Sequence, residues 1–147
     1  MDRVLVLIHL AAVIVWIGGM FFAHVCLRPA AAAQLPPPQR LPLLAAILGR
    51  FFDVVGWALL LLWGSGMARI SQAGAAIPGN WYAMAGIAAV MTILFGVIVL
   101  RYHDRMLAAV AAMDWPAAGA AMNVIRQLVL TNLVLGFVTV AVAVLGS

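Results

Sequence analysis

Four long apolar segments constrain this chain more than any other feature of its sequence. They cover residues 4–27, 51–70, 81–101 and 125–146. Each is long enough to cross a bilayer, which takes roughly 20 helical residues. Only helices and closed barrels satisfy their backbone in lipid, and these segments lack the strict alternation of barrel strands. The sequence therefore predicts an all-α fold, an integral membrane bundle of four transmembrane helices.

The composition agrees with this interpretation. Hydrophobic residues make up 67% of the 147 residues and charged residues only 8%, too little polar material to cover a soluble domain. All eight basic residues are arginine. In a membrane protein such an excess normally lies in cytoplasmic loops, so we expect no binding of nucleic acid. The single cysteine, Cys26, excludes an internal disulfide and every CxxC metal motif.

We expect one domain, residues 1–147, with helices at about 4–27, 41–70, 81–103 and 116–146. The prolines at 36–38 predict a stiff loop between the first two helices. Asp114, Trp115 and Pro116 are typical of a helix start. Six of the eight arginines flank or occupy the first and third connections, which predicts cytoplasmic connections there and periplasmic N- and C-termini. The first segment is too long for a signal-peptide core and is expected to stay as a helix.

The first segment carries two histidines, His9 and His24, on one helical stripe. Ionisable side chains within a bilayer are functional candidates by default, although each could instead make a structural hydrogen bond inside the bundle. A separation of 15 residues puts them about 22 Å apart along the axis, so they belong to different sites. Between them, Gly18 and Gly19 either allow close helix packing or make room for a flat cofactor.

The outer half of the bundle offers a candidate metal site. The candidate ligands of this site are His9, Met20, Met67 and Met84. Imidazole with thioether suits Cu(I), and it also suits haem iron. The alternative is that these methionines fill gaps in an apolar core. Copper and haem b both remain open as the cofactor.

The inner half offers a polar cluster. Its candidate cofactor ligands are His24 and His103. Its other members are Arg50, Asp53, Arg101 and Asn132. The spacing of Arg50 and Asp53 favours an ion pair on one helical face. The alternative for the arginines of this half is that they anchor helix ends among the lipid head groups.

The stretch HLAAVIVWIGGMFFAHVCLRP, residues 9–29, resembles the opening helix of the copper-resistance D (CopD-like) membrane domain. Members of that family show a His, then Trp and Gly-Gly, then an Arg-Pro exit. Residues 114–146 are similar to the closing part of its small four-helix members. The resemblance implies a part in copper uptake or tolerance at the bacterial inner membrane, with a periplasmic copper protein as partner.

More distantly, the chain resembles the haem-binding HemJ-type protoporphyrinogen oxidases. In that group the early histidine, which matches His9, is implicated in haem binding, and residues 101–103 are similar to its Tyr-His pair. The chain has no lysine at all, whereas that group has one in its third helix. It also lacks the group's Asn-Glu-x-Pro pattern in the last helix. These departures argue against the oxidase activity.

Three functions remain open. The first is binding or relay of copper through His9 and the methionines. The second is a haem b protein with His9 as axial ligand and a redox partner. The third is an accessory subunit whose histidines only satisfy hydrogen bonds. The sequence contains no motif for hydrolysis and identifies no catalytic residue, so an enzyme would be a haem-dependent oxidoreductase. Lipid-facing surface is available for a homo-oligomer, although no GxxxG pattern marks an interface.

Overall fold

The computed structural model describes residues 2–147, which form a bundle of four long helices. Their bounds are α1 Arg3–Gln34, α2 Pro37–Ala73, α3 Gly79–Ala111 and α4 Trp115–Leu145. Each is long and apolar enough to cross a membrane. Residues 2–147 contain no β-strand. The all-α, four-helix architecture predicted from the sequence is confirmed.

The connection between α1 and α2 is much shorter than the predicted loop. α1 continues to Gln34, and α2 already begins at Pro37. Pro37 and Pro38 occupy the first turn of α2, where a backbone N–H has no helical acceptor and its absence costs nothing. The prediction of a stiff loop through the proline run was therefore wrong, because these prolines start a helix.

Two aspartates begin helices by capping them. The Asp2 carboxylate accepts a hydrogen bond of 2.9 Å from the Val4 backbone N–H at the start of α1. Asp114 accepts one of 3.2 Å from the Ala117 N–H at the start of α4. The predicted helix start at Asp114 is confirmed, and both caps satisfy backbone donors that lack a partner within the helix.

α1 and α3 each contain a π-helical stretch, Phe22–Leu27 and Ile98–His103. A π-helix closes each backbone hydrogen bond over five residues instead of four, and such stretches often occur at functional sites. The first stretch carries His24 and the second carries His103. Both lie towards the end of the bundle with the α1–α2 and α3–α4 connections, here called the far end. The near end carries both chain termini and the α2–α3 connection.

The core is dense towards the far end and in the middle of the bundle. Val55, Met106 and Ile125 are completely buried there. A row of three aromatic rings crosses the middle of the bundle. Trp16 meets Phe95 edge-on at 6.4 Å between ring centroids, and Phe95 meets Phe52 at 5.9 Å. These edge-to-face contacts join α1, α3 and α2, and the near half of the bundle opens beyond them.

Gly18 and Gly19 occupy different environments. A Cβ added at Gly19 would collide with the ring of Phe51 on α2, whereas one added at Gly18 would meet nothing within 4 Å. Neither glycine lines the cavity of the near half. Of the two roles that the sequence left open for the pair, the structure assigns close packing to Gly19.

We expect Gly19→Ala to lower the melting temperature of the purified protein in detergent, because the Phe51 ring must leave its place against α1. Overpacking of this kind costs about 1–3 kcal/mol. Gly18→Ala is the matched control, since it brings the same gain of about 1 kcal/mol in helix propensity without a collision. Equal melting temperatures for the two variants would contradict the packing role of Gly19.

Candidate functional site

A large cavity opens in the near half of the bundle. Its volume is about 670 Å³, and all four helices line it. Trp16, Met91 and Gly136 lie at its deep end, and Arg69 and Trp81 lie near the α2–α3 connection. The lining is mainly aliphatic and aromatic. Cavities of roughly 300–1,000 Å³ with apolar walls and a few polar groups are typical of sites for small organic ligands.

His9 lines this cavity and is held by α2. Its Nδ1 lies 3.0 Å from the Ser65 hydroxyl, and that hydroxyl donates to the Leu62 carbonyl at 3.1 Å. Because the hydroxyl proton is engaged with the carbonyl, Ser65 Oγ accepts from the Nδ1–H of His9. With the proton on Nδ1, the free lone pair of the imidazole is on Nε2. A histidine fixed through one ring nitrogen presents the other as a metal ligand.

The ring of His9 packs closely against α2. A Cβ added at Gly66 would lie 3.5 Å from His9 Cε1, so this glycine leaves room for the ring beside the helix. Ser65 itself is buried, with 4% of its surface exposed. Ser65 and Gly66 therefore bring the α1 histidine and the α2 backbone together.

A second polar contact stiffens the cavity wall. The Trp63 indole N–H donates to the Thr92 hydroxyl at 3.1 Å, and this hydroxyl donates to the Ala88 carbonyl at 2.7 Å. The contact joins α2 to α3 and satisfies the polar groups of both side chains. The indole ring of Trp63 also lines the cavity, so its position is fixed from behind.

The structure brings together part of the predicted metal set. Met67 and Met84 line the same cavity as His9. Met20 does not line it and lies in the core with 2% of its surface exposed. Among residues 2–147, no group of three His, Cys, Asp or Glu side chains could hold a metal ion. A metal bound here would therefore need thioether donors or donors from a non-protein group.

Two polar side chains at the cavity mouth were not identified from the sequence. The Arg69 guanidinium lies 4.7 Å from the centroid of the Trp81 ring, a cation–π contact. Asn80 Oδ1 is buried and has no hydrogen-bond partner among residues 2–147. Both residues lie where an apolar segment ends, which is the signal that could have identified them.

His103 makes a structural hydrogen bond. It is buried, and its Nε2–H donates to the Ala45 carbonyl of α2 at 3.0 Å. Its ring also meets Phe52 edge-on at 5.1 Å between centroids. Gly49 makes room for the ring, because a Cβ there would lie 3.4 Å from His103 Cε1. His103 therefore makes a structural hydrogen bond inside the bundle, which is the alternative to a ligand role that the sequence left open for a histidine.

His24 lies in a different environment from both other histidines. It lines a small separate cavity of about 20 Å³ together with Arg28 and Arg126. It is partly buried and makes no hydrogen bond with residues 2–147. His9 and His24 thus belong to different cavities, in agreement with their separation along α1.

The other members of the predicted inner cluster are not gathered into one site. Arg50, Asp53 and Arg101 are exposed, and no ion pair joins Arg50 to Asp53 within residues 2–147. Asn132 is buried in the core, where its Nδ2 donates to the Met91 carbonyl at 3.1 Å. Asn132 therefore ties α4 to α3 close to the deep end of the large cavity.

No protein-family model, curated protein or solved structure matches the chain. The resemblances to the copper-resistance D family and to the HemJ-type group thus stay predictions.

We expect His103→Ala to lower the stability of the protein by roughly 2–4 kcal/mol, because it removes a buried hydrogen bond and leaves a cavity beside Phe52. His24→Ala is the control. It removes a partly exposed ring without a hydrogen bond and should change stability by less than about 0.5 kcal/mol. Thermal unfolding in detergent compares the two, and a larger loss for His24→Ala would contradict this assignment.

Proposed function

We propose that the chain is a membrane protein that binds haem b in the near-half cavity, with His9 as an axial ligand. The observation that carries this proposal is that His9, held through Nδ1 by Ser65, lies on the wall of a cavity of about 670 Å³. That volume falls in the range of sites for organic ligands and far exceeds the need of a bare ion. A histidine oriented through its other nitrogen is the usual form of a haem ligand.

The rest of the cavity fits an amphipathic, flat ligand. Its deep end, with Trp16 and Met91, would exclude water from the macrocycle. The Arg69 guanidinium at the mouth would face its carboxylate groups. Met84 in the same cavity would supply a thioether as a further donor to the iron. Bound haem would supply one-electron chemistry, and these side chains would hold and orient it.

We also propose that the protein lies in the bacterial inner membrane with the near end facing the periplasm. The arginines support this orientation, since the six assigned to the cytoplasmic side belong to the far half of the bundle. The cavity would then open towards the periplasm. Alkaline phosphatase fused after Ser147 should be active in cells, and green fluorescent protein fused there should be dark. The reverse result would contradict the orientation.

We expect the protein, purified from haem-replete cells or reconstituted with haemin, to show a Soret band. His9→Ala should abolish the band, because it removes the imidazole ligand and leaves only thioether donors in the cavity. Ser65→Ala should keep a weakened band, since the ring loses only its orienting partner. His24→Ala, at the far end, is the control and should leave the spectrum unchanged. A colourless wild-type protein after reconstitution would rule out the haem proposal.

Copper binding is the second candidate, and the presence of Met67 and Met84 in the same cavity as His9 favours it. A set of one imidazole and two thioethers suits Cu(I). This function would agree with the copper uptake or tolerance expected from the family resemblance.

An anaerobic Cu(I) titration against a coloured chelator tests this second candidate. We expect one copper per chain in the wild type, and none that competes with the chelator in the Met67→Ala/Met84→Ala double variant or in His9→Ala. Met113→Ala is the control, because Met113 is 74% exposed and lies outside the cavity. An unchanged stoichiometry in the double variant would exclude this site. A colourless protein whose copper binding does not depend on His9 or on the methionines would favour the accessory role.

A further inference from the structure

The far end of the bundle gathers basic side chains outside the site of His9. This basic cluster consists of His24 and Arg28 on α1, Arg40 near the start of α2, and Arg126 on α4. All four side chains are partly buried. Arg28 interacts electrostatically with Arg126 and Arg40, and His24 interacts with Arg28 and Arg126. Three helices therefore bring like charges into one place.

The basic cluster has more donors than the protein satisfies. Arg126 donates to Asn123 Oδ1 at 2.9 Å, but its Nε is buried and has no partner among residues 2–147. Arg40 donates to the Leu35 carbonyl at 3.3 Å. No aspartate of residues 2–147 forms an ion pair with the cluster. Because like charges repel and buried donors need acceptors, this arrangement favours a bound anion.

An exposed apolar strip continues from the basic cluster along the seam between α1 and α4. Leu130 and Phe137 follow Arg126 by four and eleven residues, which places them on the same face of α4. Phe21, one turn before His24, meets Phe137 edge-on at 6.4 Å. Leu130, Phe137 and Phe21 are 42%, 52% and 45% exposed. Charge and apolar surface are thus contiguous.

We propose that the basic cluster binds the phosphate head group of an anionic phospholipid whose acyl chain lies along this seam. Arginine guanidinium groups bind phosphate with paired, charge-assisted hydrogen bonds. A free phosphate ion would use only the arginines, whereas a phospholipid uses both the arginines and the adjoining apolar strip. The cavity beside His24, of about 20 Å³, is too small for an acyl chain, so the chain lies on the outer surface of the bundle.

The π-helical stretch of α1 is a further, independent pointer to this place. It spans Phe22–Leu27, carries His24, and ends immediately before Arg28. A π turn adds a residue to the helical repeat and so redirects the side chains that follow it. Two members of the basic cluster are therefore positioned by a backbone feature that is typical of functional sites.

Native mass spectrometry of the full chain in a neutral detergent tests the proposal. The probes are phosphatidylglycerol, a diacylglycerol with the same acyl chains, and inorganic phosphate. We expect the wild type to retain phosphatidylglycerol only. Arg28→Gln/Arg126→Gln should weaken retention by about tenfold or more, as expected for loss of hydrogen bonds to a charged group. Arg50→Gln/Arg101→Gln removes the same charge from exposed positions of the far half and should weaken it less than about twofold.

Three results would overturn the proposal. Equal weakening by both double variants would indicate general surface charge. Retention of diacylglycerol as strong as that of phosphatidylglycerol would show that no head group is recognised. Competition by inorganic phosphate at equal affinity would indicate a site for a free ion. The Soret band serves as a separate readout and should be unchanged in all these variants.

A folding defect in the glutamine variant would not prevent the test. Arg28→Lys/Arg126→Lys keeps the charge but loses the paired geometry, and should give an intermediate affinity. The wild type also provides a measurement without any substitution. Phosphatidylglycerol should raise its melting temperature above that seen with diacylglycerol, and an equal melting temperature with the two lipids would contradict the proposal.

Discussion

Polar side chains inside this apolar bundle must find their hydrogen-bond partners within the protein, and this constraint organises the structure. Lipid offers no donors or acceptors to replace them. His103 meets the constraint through the Ala45 carbonyl, and Asn132 meets it in part, since its Nδ2 donates to the Met91 carbonyl while its buried Oδ1 has no partner among residues 2–147. His9 meets it with one nitrogen only, through Ser65. The same requirement therefore makes one histidine a structural element and leaves another with a lone pair for a ligand.

The two ends of the bundle differ in how completely their side chains are packed. In the far half and the middle, complete packing around Val55, Met106 and Ile125 leaves little internal space. In the near half, the helices surround a cavity, and polar contacts such as Trp63 to Thr92 brace its wall. Such contacts matter because side chains that line a cavity have fewer atoms to pack against than side chains in a filled core. The dense part of the bundle therefore acts as the support that keeps the near-end cavity in shape.

The sequence predicted the helices well because their information is local. Apolar length defined all four, and Asp114 marked a helix start. The proline run was misinterpreted because its meaning depends on position, and the first turn of a helix tolerates proline. Contacts between helices were harder to predict. Ser65 and Ala45 lie 56 and 58 residues from the histidines that they bind, and no local pattern connects such pairs. A shared helical stripe grouped Met20 with His9, whereas the Met20 side chain packs in the core.

The π-helical stretch in α1 gives this helix two phases. Before Phe22, side chains follow the ordinary helical repeat, and His9 and Trp16 face the cavity under that phase. After Leu27, the repeat resumes with an offset of about one residue, roughly 100° around the axis. Deleting one residue from the stretch would rejoin the phases and turn Arg28 away from Arg126, while the face of His9 would stay as it is. The length of that single stretch thus sets the far-end face of α1 independently of its near-end face.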